Sequence, residues 1–210
     1  MAIPESLSAF MGLVQGRRSL YDLSPESPIP DSEIESIVKF AIKWCPSAWN
    51  VQSARAIVLF GSQHQMLWDI VDQHMASQDL EDHNKAYLSN KMRQFKNSYG
   101  TVMWFEDQGS LDALTSKFPF IASDLPQCRT IRARLYSLTM EIVWTALEAV
   151  GLGANLQHYN SEPEVVEKVM KTFDIPSKWK LNAQLVFGKP AGGPKERTFE
   201  PVDARVSVRR

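Results

Sequence analysis

Residues 131–150, IRARLYSLTMEIVWTALEAV, carry the strongest helical pattern in this chain. Apolar residues recur at helical spacing along one face, and three neighbours widen that face. The face consists of Ile131, Leu135, Leu138, Ile142, Ala146 and Val150, with Thr139, Val143 and Leu147 beside them. The sequence Gly151-Leu152-Gly153 then ends the helix. A helix that is apolar over so wide an arc is expected to lie at the centre of the fold or at a subunit interface.

The segments around this helix alternate between helices and short strands. β-rich runs predict strands over Ala56–Phe60, Thr101–Phe105 and Leu181–Phe187. Helical spacing predicts helices over Ser6–Gln15, Ile34–Cys45, His64–Ala76 and Glu162–Thr172. The polar segment 79–97 predicts a helix or a helix followed by a loop. Few strands separated by helices indicate an α+β or α/β fold in which helices cover one sheet.

The C-terminal tail, residues 190–210, has no apolar periodicity. Val202, Val206 and Val208 could still add an extended edge strand to the sheet. A tail of this length is expected to pack on another subunit.

Length and composition favour a globular protein with one domain over residues 1–210. The chain is 44% hydrophobic and 22% charged, with a net charge of −1, so overall charge does not indicate a nucleic-acid or membrane-surface partner. No apolar run reaches the roughly 18 residues that a membrane span needs. The N-terminus lacks the basic region of a signal peptide, and two cysteines make neither a disulfide framework nor a metal site. We therefore expect a cytoplasmic location.

Two short basic motifs stand near opposite ends of the chain. Arg17-Arg18-Ser19 follows the first helix, and Lys195-Glu196-Arg197 lies in the tail. Guanidinium groups bind phosphate through two parallel hydrogen bonds, and the serine adds a hydroxyl donor. Lys195 and Arg197 alternate about Glu196, so both could point the same way from an extended chain. The alternative is two solvated basic clusters, or cations that are favourable at a helix C-terminus.

The polar loop Pro46–Ser53 follows the second helix, which Pro46 ends. Small and amide side chains in this loop would allow the backbone to approach a planar ligand and hydrogen-bond its edge. An ordinary polar loop is the alternative.

Several other kinds of site have no support in the sequence. The segment from Gly151 to Asn160 lacks the Gly-x-Gly-x-x-Gly pattern of a dinucleotide site and follows a helix rather than a strand. The four histidines show no metal-binding spacing, and the Gly-x-Ser-x-Gly elbow of hydrolases is absent. A single histidine such as His158 is more often a hydrogen-bonded structural residue than a catalytic base.

In this order the motifs resemble the nitroreductase family, in particular its short bacterial and fungal branch. The resemblance covers nearly the whole chain. It rests on residues 17–21 (RRSLY), 47–53 (SAWNVQS), 99–107 (YGTVMWFED) and 151–160 (GLGANLQHYN). It implies an α+β fold with a central, mostly antiparallel sheet surrounded by helices. It also implies an intertwined homodimer with two tightly bound FMN molecules at its interface.

The resemblance also assigns residues to the cofactor. Arg17, Ser19, Lys195 and Arg197 would hold the FMN phosphate, and Arg18 would lie beside the ribityl chain or the phosphate. The flavin ring would meet residues of two segments: Pro46, Ser47, Ala48 and Asn50 from the other subunit, and Gln157, His158 and Tyr159 on its dimethylbenzene and N5 side.

The chain departs from the family pattern at Tyr21. Larger relatives often have a lysine there, near the flavin pyrimidine. Either another cation, Lys91 or Arg93, supplies this contact, or the reduction potential of the flavin is tuned differently.

The resemblance implies an NAD(P)H-dependent FMN nitroreductase or quinone reductase with ping-pong kinetics. The acceptors would be nitroaromatics, quinones or similar flat molecules, and no side chain is needed as a catalytic acid or base. A relative that turns reduced flavin on oxygen or on another bound cofactor is the enzymatic alternative. A flavin-binding redox sensor or regulator of lipid or oxidative-stress metabolism, with little turnover, is the non-enzymatic one. A family member that dimerises without flavin is disfavoured, because the side chains that would donate hydrogen bonds to the FMN phosphate are all present.

Overall fold

The structure is a computed structural model that describes residues 3–121 and 125–209, and side chains outside residues 121–136. Its helices and strands, in chain order, are α1 (Glu5–Gly16), β1 (Leu23–Ser24), α2 (Asp31–Trp44), β2 (Ala54–Phe60), α3 (Gly61–Ser77), α4 (Asp82–Lys96), β3 (Gly100–Asp107), α5 (Gln108–Lys117), α6 (Leu125–Ala149), β4 (Gly153–Gln157), α7 (Pro163–Thr172) and β5 (Trp179–Pro190). Single 3₁₀ turns cover Ala48–Asn50, Pro119–Ile121 and Tyr159–Ser161.

The strands form one antiparallel sheet around β5. This strand pairs with β1, β3 and β4, and β3 pairs in turn with β2. Every strand pair among the described residues is antiparallel. The α+β expectation with a mostly antiparallel sheet is therefore confirmed.

Helices cover both faces of the sheet, and β3 shows why its sequence is continuously apolar. Val102 and Trp104 pack with α2 and α6, whereas Met103 and Phe105 pack with α3, α4 and α7. All four side chains are fully buried. A strand that is covered on both faces cannot alternate between apolar and polar residues.

The two sides of α6 have different environments. Val143 and Leu147 are fully buried against the sheet, although the sequence pattern places them only at the margin of the apolar face. Leu138, from the middle of that face, is 49% exposed and lines a groove of about 500 Å³ between α1 and α6. Ile131 and Leu135 lie outside the described side chains. The central position of α6 is thus confirmed. The residues that are fully buried against the sheet come from the margin of the predicted face, whereas Ile142 and Val150 of that face are only partly buried there.

Two further expectations about the chain are changed by the structure. The three predicted strands are present and extend beyond their predicted bounds, but the pattern does not predict β4. The prediction of an edge strand in the tail is wrong, because residues 191–209 form no strand and their valines are exposed. No described helix combines the length and apolar character that crossing a membrane requires.

A buried polar chain links α3 to the sheet. The carbonyl of Phe95 accepts a hydrogen bond from Nε2 of His64 at 3.0 Å, so the proton lies on Nε2. Nδ1 of His64 therefore accepts from the hydroxyl of Thr101 at 2.9 Å. That hydroxyl oxygen accepts from Nε1 of Trp68 at 3.0 Å. Each polar atom in this chain has a partner only while the imidazole is neutral.

We predict that protonation of His64 destabilises the protein. Burial lowers its pKa from 6.5 to about 4, so the unfolded chain binds this proton more readily than the folded one. The stability that neutral His64 contributes is fully present above the pKa of the unfolded chain and is lost as the pH falls toward 4. The free energy of unfolding should drop by about 2 kcal/mol between pH 7 and pH 5 from this group.

Urea unfolding of wild type and His64→Gln at both pH values measures this contribution. We expect the variant to lose that part of the pH dependence, whereas His83→Gln, at an exposed position, retains it. An unchanged pH dependence in His64→Gln would contradict the assignment.

Candidate functional site

The two basic motifs meet at one cavity. Arg17 caps the C-terminus of α1, and the chain then runs beside β4, where Ser19 forms a β-bridge with Ala154. The tail folds back so that Nη2 of Arg18 donates to the carbonyl of Lys195 at 2.5 Å, across 177 residues of sequence. The resulting space of about 300 Å³, called the basic cavity below, is lined by Arg17, Arg18, Ser19, Tyr21, Lys195, Glu196 and Arg197.

The basic cavity has an excess of positive charge. Four of its lining residues are cations and one, Glu196, is a carboxylate. Nε of Arg17 lies 2.8 Å from Oε1 of Glu141 on α6, and its guanidinium stacks on the Trp144 ring at 4.5 Å. The Glu141 contact is an ion pair without hydrogen-bond alignment, because Nε of Arg17 is buried with no hydrogen-bond partner; together with the Trp144 ring it holds Arg17 against α6. Arginine, lysine and serine donors around a small space fit a phosphate group.

The loop after α2 has an unusual backbone. Trp49, Asn50 and Gln52 all have left-handed φ values, of 55°, 50° and 49°. Ser47 stabilises the turn, because its Oγ accepts from the backbone N–H of Gln52 at 3.0 Å. Left-handed residues other than glycine are uncommon, and several in succession often mark a functional segment.

This loop does not reach the basic cavity of its own chain. Pro46 and Ser47 line a separate cavity of about 570 Å³, while Ala48 and Asn50 line neither. The ring of Trp49 packs on Phe118 and Phe120 at 5.7 and 6.0 Å. The sequence did not indicate this aromatic cluster, since Trp49 lies about 70 residues from Phe118 and Phe120 in the chain.

The third predicted segment lies at the end of β4. Nδ2 of Asn155 donates to the carbonyl of Leu20 at 2.7 Å, and Nε2 of Gln157 donates to Oδ1 of Asn155 at 2.7 Å. These bonds join Gln157 to the segment that carries Arg17-Arg18-Ser19. His158 is exposed. None of Gln157, His158 and Tyr159 lines the basic cavity.

Tyr159 is held by its surroundings. Its backbone N–H donates to Oε1 of Gln184 at 3.1 Å, and its ring packs on Trp68 and Phe95. Burial raises the pKa of Tyr159 to about 12, so the phenol stays protonated near neutral pH. It therefore cannot serve as a base there.

Lys91 and Arg93 are the two cations that could substitute for the lysine that larger relatives have at the position of Tyr21. Nζ of Lys91 lies 3.6 Å from the centre of the Tyr21 ring. Arg93 is exposed and donates to Oδ1 of Asn90 at 2.7 Å. Of the two, Lys91 is the one that contacts Tyr21.

Comparisons with known proteins agree with one another. A sequence model described as the nitroreductase family matches residues 14–122. The chain is 32% identical to nitroreductase FRM2 of Saccharomyces cerevisiae over 90% of its own length and 92% of that protein.

Solved structures give the same result. The nitroreductase CinD of Lactococcus lactis, in complex with chloramphenicol, is 31% identical and has a TM-score of 0.82, covering 96% of this chain and 100% of its own. The same enzyme in complex with 4-nitrophenol is 32% identical with a TM-score of 0.81 and the same coverage. A structure in complex with FMN from Desulfovibrio desulfuricans, 15% identical with a TM-score of 0.66, covers 95% of this chain and 96% of its own, and shares the fold.

Proposed function

This chain belongs to the nitroreductase family, and we propose that it is an FMN-dependent oxidoreductase that passes two electrons from NAD(P)H to nitroaromatics, quinones or similar flat acceptors. The basic cavity is the observation that carries this proposal. It brings together side chains from both ends of the chain that can donate hydrogen bonds to a phosphate group. When bound, FMN supplies the chemistry of taking up a hydride and returning two electrons.

In this proposal the basic cavity holds the phosphate of FMN. Arg17 and Arg197 provide planar guanidinium donors, Lys195 an ammonium group and Ser19 a hydroxyl. Arg18 lies beside the ribityl chain or the phosphate. The ion pair of Arg17 with Glu141 supports this role, because an oriented donor loses less entropy on binding.

A second subunit completes the site in this proposal. Pro46, Ser47, Ala48 and Asn50 reach the flavin ring of the partner, which agrees with their separation from the basic cavity of their own chain. The apolar groove between α1 and α6 offers a surface for such a dimer. The protein would then act as a homodimer of single-domain subunits in the cytoplasm.

The acceptor side of the proposal draws on the relatives and on β4. CinD of Lactococcus lactis has been solved with chloramphenicol and with 4-nitrophenol, which are small aromatic molecules. Gln157, His158 and Tyr159 would line the dimethylbenzene and N5 side of the flavin, mainly through backbone groups. Protons come from water, and we assign no side chain as a catalytic acid or base. The residues of this chain bind the flavin and orient the substrates. They leave one face of the flavin open, and each flat substrate occupies it in turn.

Steady-state kinetics test this shared-site scheme. Because donor and acceptor would occupy the same place in turn, double-reciprocal plots at several fixed acceptor concentrations should be parallel. Intersecting lines would show that both substrates bind together, which would contradict the scheme. Anaerobic assays with NADH and NADPH in parallel also establish the donor preference.

A further inference from the structure

The loop Pro46–Ser53 is followed by an arginine that belongs to neither basic motif. Arg55 is the second residue of β2, is partly buried, and lines the same cavity of about 570 Å³ as the beginning of the loop. Its Nη1 donates to the carbonyl of Gln52 at 2.8 Å and to that of Ala54 at 3.0 Å. Gln52 is the last left-handed residue of the loop. The bond to its carbonyl therefore fixes the peptide plane at which the chain leaves the loop and enters β2.

The other terminal nitrogen of this guanidinium connects the loop to α5. Nη2 donates to Oδ2 of Asp107 at 2.6 Å and to Oγ of Ser110 at 3.0 Å. Asp107 caps α5, because its Oδ1 accepts from the backbone N–H of Gly109 at 2.9 Å. Burial opposes the ionisation of Asp107, but hydrogen bonds from Ser110 and Gly109 and the nearby guanidinium outweigh it and lower its pKa. Arg55 thus faces a carboxylate that is itself fixed to the start of α5.

The C-terminal end of α5 also reaches this loop. Phe118 follows α5 and packs, with Phe120, on the ring of Trp49, the first left-handed residue of the loop. The two ends of one helix therefore contact the first and the last left-handed residue. Left-handed residues other than glycine persist only where surrounding contacts hold them. The shape of the loop depends on these two contacts with α5.

We propose that Arg55 is a positioning residue for the flavin, because its guanidinium holds the loop Pro46–Ser53 in the shape with which it reaches the flavin ring of the partner subunit. This inference rests on the proposed function, which assigns the loop to that ring. Arg55 itself contacts no cofactor in this proposal. It acts through the carbonyl of Gln52, while Asp107 fixes the direction of the guanidinium.

The planar fork of the guanidinium makes a sharp test possible. Arg55→Lys keeps a positive charge that pairs with Asp107, but lysine lacks the second nitrogen that reaches the carbonyl of Gln52. Arg55→Met removes both contacts. If Arg55 were only an ion-pair partner of Asp107, lysine would replace it fully. If the fork holds the loop, lysine preserves the stability of the fold and leaves the loop less ordered.

Hydrogen exchange of the apoprotein, measured by mass spectrometry on a peptide covering residues 46–53, tests whether Arg55 holds the loop. The amides of residues 50–52 donate within this loop and report its opening. We expect them to exchange about tenfold faster in Arg55→Met and in Arg55→Lys, as the loss of a charge-assisted bond implies. Lys39→Met removes an exposed cation from α2 and should exchange as wild type does. Wild-type loop exchange in Arg55→Lys would overturn the proposal.

Urea unfolding separates this role from a general loss of stability. Arg55→Lys should unfold near the wild-type urea concentration, because the charge opposite Asp107 remains. Faster exchange confined to the loop, at unchanged global stability, supports the proposal. Exchange that is accelerated equally in the loop and in the central strands would mean that Arg55 serves the whole fold, and would overturn it.

Fluorescence titration of the apoprotein with FMN links the loop to the flavin. Both Arg55 variants should bind FMN about three- to tenfold more weakly, because part of the binding free energy must then order the loop. The visible circular dichroism of the bound flavin should also change, since it reports the surroundings of the ring. Affinity and spectrum equal to wild type in Arg55→Lys, despite faster loop exchange, would overturn the proposal.

The failure of this inference is distinguishable from the failure of the proposed function. Wild-type apoprotein that takes up no FMN would overturn the proposed function and this inference together. Wild type that binds FMN, with both Arg55 variants binding it equally well, would overturn the inference and leave the proposed function standing.

Discussion

Replacing Arg197 with alanine is expected to weaken FMN binding by about 1.5–3 kcal/mol, or roughly 10- to 150-fold. Arg197 is one of the cations that line the basic cavity. Its guanidinium carbon lies 5.1 Å from the centre of the Phe199 ring. A planar donor held in this way would make charge-assisted bonds that water does not replace at equal strength. Equilibrium titration of apoprotein with FMN measures the loss.

Two variants make this prediction specific. Arg197→Lys keeps the charge but not the planar fork, so it should recover part of the affinity. Arg205→Ala removes a cation from the exposed tail outside the basic cavity and should leave affinity unchanged. Flavin retention in Arg197→Ala equal to wild type would reject the assignment of this residue to the phosphate.

Replacing Trp68 with alanine is expected to destabilise the protein by about 3–5 kcal/mol. Its side chain is fully buried, with the ring centre 4.6 Å from that of Phe95 and 5.8 Å from that of Tyr159. The variant leaves a large cavity and removes the donor to the hydroxyl of Thr101. Urea unfolding at constant pH measures the change in free energy.

Trp68→Phe keeps an aromatic ring at this position, but it removes the hydrogen bond to Thr101 and leaves a smaller cavity than alanine does. It should cost less than Trp68→Ala. Tyr87→Ala, at a position 60% exposed on α4, should change stability by no more than about 0.5 kcal/mol. A loss below about 1 kcal/mol in Trp68→Ala would contradict the packing described here.

The sequence predicts the buried strands well because covering both faces of the sheet leaves a strong apolar signal. The run around Val102 and Trp104 is an example. β4 gives no such signal, since GANLQ is rich in small and polar residues. It forms a strand because its backbone pairs with β5. Pairing of this kind depends on distant residues and cannot be inferred from local composition.

The two sides of α6 show a second limit of sequence patterns. Hydrophobic periodicity identifies apolar positions, but it does not state which of them meet the sheet. Val143 does so, whereas Leu138 lies in the open groove with α1. The pattern even places Leu138 in the middle of the apolar face and Val143 at its margin, because residues that face an exposed apolar groove are as hydrophobic as residues that face a sheet.

The sequence predicts the motifs of the site but not how they are arranged in space. Each basic motif alone is compatible with a solvated surface cluster, and the family resemblance was needed to connect them. The structure places Arg18 against the backbone of Lys195, a contact that no local pattern encodes. The same holds for Lys91, which reaches Tyr21 only because α4 packs beside this part of the fold.

The central claim is that this protein binds FMN and reduces it with NAD(P)H. The most direct test is an anaerobic absorbance spectrum of FMN-loaded protein, recorded before and after adding NADH and, separately, NADPH. We expect the flavin bands to appear on loading and to bleach rapidly with at least one donor. A protein that takes up no FMN, or whose flavin bands bleach only slowly with both donors, would contradict the claim of an enzyme, and slow bleaching would favour a flavin-binding sensor.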